Sequence, residues 1–213
     1  MSIQLWPVAD VHLAAVEEDI ILLNVGTDSY DCLPGAATWL TLCDDGSILA
    51  ADEVNAKALQ AAELVTVTPP AHPRRRPAVA RQEFSVATGA TAFRAIAAAM
   101  DLAEGTLAFR RKTFAQLVSE AAGQIKPRAT TEADLRLVLA AYRTALPWIP
   151  FEGECLQRAF LLRRFLARRG IRTDWVFGVR TWPFGAHCWL QLDDQVIGDS
   201  LARVTAYTPI MAA

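Results

Sequence analysis

Gly153-Glu154-Cys155-Leu156-Gln157-Arg158-Ala159-Phe160, followed by Ala186-His187-Cys188-Trp189 and then Gly198-Asp199, is the part of this chain whose reading decides the fold. It places a cysteine at the start of a helix and a histidine and an aspartate on two strands that follow. A thiolate attacks carbonyl carbon well when a base takes its proton and a third group holds that base in one tautomer. Cys155, His187 and Asp199 are the candidates for nucleophile, base and orienting carboxylate. The helix is argued from local chemistry. Cys155 to Arg169 contains no Gly or Pro, and Leu156, Ala159, Phe160, Leu162, Phe165 and Leu166 form an apolar stripe. Arg168, Arg169 and Gly170 end it, with cations against the negative end of the helix dipole and a glycine suited to a left-handed cap. Cys155 therefore falls in the first turn, where exposed N–H groups favour a thiolate and can bind an oxyanion. Glu152 and Glu154 oppose this by charge, so at least one is expected to point away or to meet a substrate amine.

Downstream, Thr173 to Arg180 reads as a strand, and His187–Leu192 with Gln195–Asp199 reads as a hairpin around Asp193-Asp194. Side-chain alternation makes the register decisive. A three-residue loop would set Leu192 opposite Val196 and bring His187 and Asp199 to one face as diagonal neighbours, with Cys188 facing into the core. A two-residue loop would separate them unless a bulge intervened.

Several pieces of this region carry a family resemblance: Cys155-Leu156-x-Arg158-Ala159, Leu161-Leu162-Arg163-Arg164, Arg169-Gly170-Ile171, Phe177-Gly178-Val179-Arg180 and Phe184-x-Ala186-His187-x-Trp189. From about Pro150 to Asp199 the chain resembles the leader peptidase part of the lasso peptide maturation B proteins, which have a transglutaminase-like (papain-like) Cys-His-Asp fold. The resemblance implies Cys155 as nucleophile, His187 as general base and acid, and Asp199 as the partner of the histidine. One departure is that Gln157 stands where proline is common in that family, outside the triad.

Composition fits such a protein. A chain of 213 residues with 53% apolar content can hold one large domain or two small ones. A net charge of −2 argues against nucleic acid or a lipid surface as the main partner. Cys32, Cys43, Cys155 and Cys188 include no CxxC pair and no zinc-ligand spacing, so neither metal nor other cofactor is expected and a reducing compartment is the simpler reading. No basic and apolar signal segment opens the chain, and no run approaches about 18 apolar residues, so a cytoplasmic protein without membrane attachment is expected.

Thr68-Pro69-Pro70-Ala71-His72-Pro73-Arg74-Arg75-Arg76-Pro77 has the composition of a solvated connector. Ahead of it, Val11–Val16, Asp19–Asn24 and Asp28–Leu33 read as a three-stranded meander. Ala36–Asp44 and Asp52–Leu64 then read as helices, the second capped by Asp52 and burying Val54, Ala58, Ala61, Ala62 and Val65. This is a winged-helix-like pattern. With Asn24 and Tyr30 around the turn into strand three and Leu33-Pro34-Gly35-Ala36 entering the first helix, it resembles the PqqD-like recognition element of peptide-modifying systems. The resemblance implies capture of a leader peptide. An unpaired strand edge, here Ser29, Tyr30, Asp31, Cys32 and Leu33, accepts an extended peptide through backbone hydrogen bonds, with the second helix as the other wall of the groove.

Between connector and nucleophile, Ala90–Leu102, Leu107–Ala122 and Glu132–Leu146 read as scaffold helices whose Phe93, Ile96, Ala97, Met100, Phe109, Phe114, Leu117 and Leu139 serve packing. Trp148 and Phe151, in the lead-in Pro147–Phe151, and Trp182, in the loop before His187, are candidates to line the cleft. The expected architecture is α+β. Residues 1–68 form a PqqD-like domain of three strands plus helices, 69–84 a Pro/Arg-rich linker, and 85–213 a papain/transglutaminase-like domain of helices with an antiparallel sheet. The expected activity is a cysteine peptidase that binds the leader of a ribosomally made lasso precursor and cuts it from the core peptide. The resemblance further implies an asparagine-synthetase-like cyclase as partner. Acyl transfer by the same three residues, or a non-catalytic peptide-binding adaptor, are the alternatives.

Overall fold

The computed structural model describes residues 2–71, 74, 77–86, 89–123, 128–149 and 154–213. His72, Arg75, Arg76, Pro150, Phe151, Glu152 and Gly153 lie outside the described residues. The chain divides into two compact units: Met1–Pro77 with Phe177–Ala186 and Tyr207–Ala212, and Ala78–Val176 with His187–Ala206 and Ala213.

In the first unit, β1 (Ile3–Pro7) precedes the meander of β2 (Val11–Val16), β3 (Asp19–Asn24) and β4 (Ser29–Leu33). The order is β2-β3-β4, so β4 is an edge strand. Asn24 shapes the turn before β4 through its side-chain oxygen, which accepts from the N–H groups of Gly26 (3.0 Å) and Thr27 (3.2 Å). After the turn at Gly35 the structure departs from expectation. Ala36–Asp44 is not a helix: Ala36–Thr38 makes one 3₁₀ turn, and β5 (Leu40–Leu42) and β6 (Ile48–Ala50) form a hairpin. Leu40-Thr41-Leu42 alternates like a strand, and Gly46, at φ 83°, completes a turn that a helix could not contain.

The helix α1 (Glu53–Ala61) begins at Asp52, whose carboxylate accepts the Asn55 N–H at 2.8 Å. Its buried residues are Ala56 and Leu59, whereas Val54, Ala58, Ala61 and Ala62 are exposed. The single large side chain, Leu59, sets which face turns inward; counting alanines misplaced it. With β7 (Val65–Thr66), a second sheet runs β5-β6-β1-β7. Leu5, Ile20, Leu40, Ile48, Leu59 and Val65 meet in its core. Two sheets and one α-helix thus replace the three strands and two helices expected. The connector is also less free than its composition implied, since the Arg74 guanidinium donates to the carbonyls of Pro7, Val8, Ala9 and Val11.

In the second unit, β8 (Gln82–Glu83) is followed by α2 (Ala92–Arg110), α3 (Phe114–Ala121), α4 (Glu132–Ala145) and α5 (Cys155–Ala167). Next along the chain come β9 (Asp174–Arg180) and β10 (Gly185–Leu192), each with residues in both units, then β11 (Gln195–Ile197) and α6 (Leu201–Val204) of the second unit, and β12 (Thr208–Ala212), which is counted with the first. The sheet order is β12-β9-β10-β11-β8. Residues expected as the end of the linker therefore belong to this sheet, because β8 pairs in parallel with β11, Gln82 opposite Gln195.

Packing of α2 against α5 positions the nucleophile. α2 runs unbroken through Gly105, where a break was expected, because the glycine lets the helices approach: a Cβ there would lie 2.7 Å from Leu161 Cδ2. Alongside, Asp101 and Glu104 of α2 pair with Arg164, Arg168 and Arg169 at the end of α5, for example Arg164 to Glu104 at 2.7 Å and Arg169 to Asp101 at 2.9 Å. The inward face of α2 carries Ala98, Leu102, Gly105 and Thr106. Phe93, Ile96 and Met100, expected to pack, instead point outward and are 82%, 62% and 69% exposed. A helix apolar all round cannot reveal its buried side by periodicity. Phe114, Leu117 and Leu139 are buried as expected. Among the described residues no helix is long and apolar enough to cross a membrane.

Candidate active site

Cys155 is the first residue of α5, and Glu154, with no side-chain cap bond, is its N-cap. The Glu154 carbonyl accepts the Arg158 N–H at 3.2 Å, so the helix is hydrogen-bonded from its first turn. The N–H groups of that turn have no carbonyl within the helix and carry its positive dipole end. The Glu154 side chain is exposed. At the other end, Gly170 takes φ 76°, and the Ile171 N–H bonds the Leu166 carbonyl at 3.0 Å, closing the helix with the expected glycine cap. Phe165 and Leu166 are 1% and 0% exposed, so α5 is a rigid mount for the thiol.

His187 and Asp199 meet by a route the hairpin register did not supply. The β10–β11 loop has two residues, with Leu192 opposite Gln195 and Leu190 opposite Ile197; the three-residue loop is not formed. Asp193, at φ 53°, allows the tight turn. Simple alternation would then send the two side chains to opposite faces. However, β11 ends at Ile197, and Gly198 adopts φ 75°, a left-handed kink that re-aims Asp199. The position is doubly restricted to glycine, since a Cβ there would lie 2.5 Å from Leu162 Cδ2 of α5. The result is a 2.6 Å hydrogen bond between His187 Nε2 and Asp199 Oδ2.

Asp199 Oδ1 accepts the Ser200 N–H at 2.8 Å and lies 3.4 Å from the Arg203 guanidinium. With Nε2 committed to the carboxylate, Nδ1 is the imidazole nitrogen left for the Cys155 thiol, and Cys155 and His187 shift each other's pKa. The ring stacks on Trp189, centroids 6.0 Å apart. Trp189 Nε1 donates to Gln191 Oε1 at 2.7 Å, and Gln191 Nε2 donates to the Ala78 carbonyl at 2.9 Å, so one face of β10 holds the imidazole plane in place.

The electrostatics are those of an ion pair. The Cys155 pKa is lowered to about 4, first by a hydrogen bond from Cys188 and then by one from His187, against the opposing effect of burial. His187 is raised to about 9, chiefly by its hydrogen bond to Asp199 and then by the one to Cys155. Asp199 is pushed up by burial, but the bonds from His187 and the Ser200 N–H outweigh this and hold it below the usual carboxylate range. Thiolate, imidazolium and carboxylate therefore coexist near neutral pH.

Cys188 was expected to point away from this site. It is indeed 4% exposed, yet Cys188 is the first cause of the lowered Cys155 pKa. The Trp189–Gln191 relay was likewise missed; its signal was the spacing of polar-capable residues at 187, 189 and 191, which share a strand face. Trp148 and Trp182 are each 80% exposed, and Trp182 belongs to the first unit. Of the edge residues, Asp31 and Cys32 are exposed, Ser29, Tyr30 and Leu33 are half-buried, and Tyr30 packs a tilted ring against Phe184 at 5.7 Å. Among the described residues no group of three His, Cys, Asp or Glu side chains could hold a metal ion.

Comparison with known proteins bears on this geometry. The pattern of the transglutaminase-like superfamily matches residues 102–212, a little over half of the chain, and takes in all three residues of the site. A 50-residue stretch is 42% identical to the microcin J25-processing protein McjB of Escherichia coli, covering 24% of this chain and 24% of that protein. The match thus spans about a quarter of the relative's length. No solved structure matches.

Proposed function

Because the chain belongs to the transglutaminase-like superfamily, we propose that it is a cysteine peptidase that captures the leader of a ribosomally made lasso precursor peptide and cuts it from the core peptide. The observation that carries this reading is the Cys155–His187–Asp199 arrangement, a thiolate at a helix start beside an imidazolium bonded at 2.6 Å to a carboxylate. The likeness to a microcin J25-processing protein supports the substrate class.

Cys155 Sγ attacks the carbonyl carbon of the leader's last residue, and the Cys155 backbone N–H donates to the developing oxyanion. As the tetrahedral intermediate collapses, His187 gives its proton to the leaving amine of the core peptide. Neutral His187 then removes a proton from water as its oxygen attacks the thioester carbon; collapse expels the Cys155 thiolate, which restores the ion pair with the His187 imidazolium, and the leader leaves as a carboxylic acid that loses its proton to solvent. Asp199 keeps the imidazole oriented and its positive form stable throughout. The β4 edge, Ser29–Leu33, takes the leader as an added strand. The freed core amine is the group that an asparagine-synthetase-like cyclase would join to an acidic side chain.

Acyl transfer to an amine is the second reading, favoured by the superfamily to which the chain belongs. The test is mass spectrometry of the cognate precursor after incubation with the chain and with Cys155→Ala, with and without the cyclase. Two fragments whose masses sum to the precursor plus one water, absent with the variant, support hydrolysis. An acylated amine product supports transfer, and an intact peptide under every condition overturns both.

A further inference from the structure

Residues 78–84 lie where a linker was expected, and the structure fastens them to both sides of the His187–Asp199 pair. On the histidine side the link is the buried amide of Gln191. Its Oε1 accepts from Trp189 Nε1 at 2.7 Å, and its Nε2 donates to the carbonyls of Ala78 at 2.9 Å and Asp193 at 3.1 Å. Three bonds fix both ends of the amide, and through Trp189, stacked on His187 with 25° between the planes, they fix the imidazole. On the aspartate side the link is Glu83. Its Oε2 accepts the Leu201 N–H at 3.2 Å, two residues after Asp199, and Asp199 Oδ1 accepts the intervening Ser200 N–H at 2.8 Å.

Between these links the segment is held along its length. The N–H groups of Arg81 and Gln82 donate to the Asp194 carbonyl at 2.8 and 3.2 Å, and that of Phe84 donates to the Val196 carbonyl at 2.9 Å. Phe84 is buried, and the Arg136 guanidinium of α4 lies over its ring, 5.5 Å from the centroid. A chain that only spans a gap needs none of this pairing. The acid–base pair does need support, because the β10–β11 pairing covers Leu190–Leu192 and Gln195–Ile197, and His187 and Asp199 both lie past its end.

We propose that residues 78–84 form a strap that positions the acid–base pair, with Gln191 and Glu83 as positioning residues that act through Trp189 and through the backbone after Asp199. The proposal rests on the reading of His187 and Asp199 as base and orienting carboxylate, and not on the peptide substrate. The 2.6 Å bond between them joins a strand residue to one beyond the kink at Gly198, so its length depends on both being held. Gln191 holds the ring, and Glu83 holds the chain that carries the carboxylate. Loosening either link lengthens or tilts the bond, and a bond to the charged imidazole that weakens lowers the pKa of the ring.

The test reads the imidazole directly and needs no peptide. The chain has three histidines, His12, His72 and His187, so their ring signals can be titrated by nitrogen-15 NMR, with His187 assigned by its loss in His187→Ala. In Gln191→Leu and in Glu83→Ala the His187 midpoint is expected to fall from about 9 toward 6.5 by about half to one pH unit, the worth of one ordinary hydrogen bond. Cys155 and Asp199, the charged groups that raise it, are the same in all these chains. Glu83→Gln, which keeps an oxygen for the Leu201 N–H, is expected to titrate like the unmodified chain. A midpoint unmoved in Glu83→Ala, or lowered as much in Glu83→Gln, overturns the strap; a lower Tm with an unmoved midpoint assigns the segment to packing and overturns it too. Should Gln191→Leu fail to fold, the exposed Glu83 decides alone. On a precursor that the unmodified chain cuts, Glu83→Ala is expected to lower kcat by about 10- to 100-fold with KM held. A precursor left uncut by the unmodified chain would sink the peptidase reading, and the imidazole titration would still decide this one.

Discussion

Cys155 and His187 share protons as a pair, so the pH dependence of activity belongs to both. Lowering pH through about 4 protonates the Cys155 thiolate, and raising it through about 9 removes the proton that His187 must give to the leaving amine. kcat/KM is therefore expected to form a broad plateau falling at both limits; a plateau ending near pH 7 on the acid side would contradict the ion pair. Asp199 acts on one limb only. Since its hydrogen bond is the largest influence raising His187, Asp199→Asn should move the alkaline limb downward, leave the acid limb nearly in place and reduce the rate by up to about 10⁴-fold. Arg203, mostly exposed beside Asp199, should matter little: Arg203→Ala is expected to change stability by less than about 1 kcal/mol in a denaturant titration. The three candidates were legible in residue types and order, and the structure brings His187 and Asp199 within 2.6 Å of each other. The influence of Cys188 on the Cys155 pKa was not legible, because it depends on where a helix end lies relative to a strand, and alternation along the strand says nothing about that.

The helix α5 is the element whose every part could be read locally: an unbroken apolar stripe, a glycine cap and cations in its last turn. Its burial makes it the sensitive element. Leu166, fully buried, should cost about 2–5 kcal/mol when cut back to alanine, measured by denaturation, and should lower activity only through the folded fraction. Gly198 behaves differently, as it ends β11 in a left-handed conformation against Leu162. Gly198→Ala is expected to cost about 1–3 kcal/mol and also to weaken catalysis in the molecules that remain folded, because it moves Asp199 from His187. A loss of stability with unchanged kcat would show that Asp199 does not depend on this kink. Elements failed to be legible where two periodicities compete. Ala36–Asp44 has helical composition but pairs as a hairpin, and α2 is apolar on both faces, so only its close approach to α5 at Gly105 decides which face is inside.

For the whole molecule, the leader-capture reading makes a prediction that does not involve chemistry at the thiol. Adding a leader peptide to the Cys155→Ala chain should slow hydrogen exchange at amides of Ser29–Leu33, the edge of the meander; protection confined to other strands would remove β4 as the docking edge. Local spacing, capping and turn chemistry in the sequence were enough to single out Cys155, His187 and Asp199 as candidates, to indicate an α+β chain, and to give Ser29–Leu33 as a strand of the meander. Tertiary structure decided the rest. It recruited Gln82–Glu83 from an apparent linker into a parallel pairing with β11, and brought His187 and Asp199 together through Gly198 despite a two-residue loop. Such contacts join residues far apart in the chain or at odds with strand alternation, and they form because packing free energy outweighs the local preferences that a sequence displays.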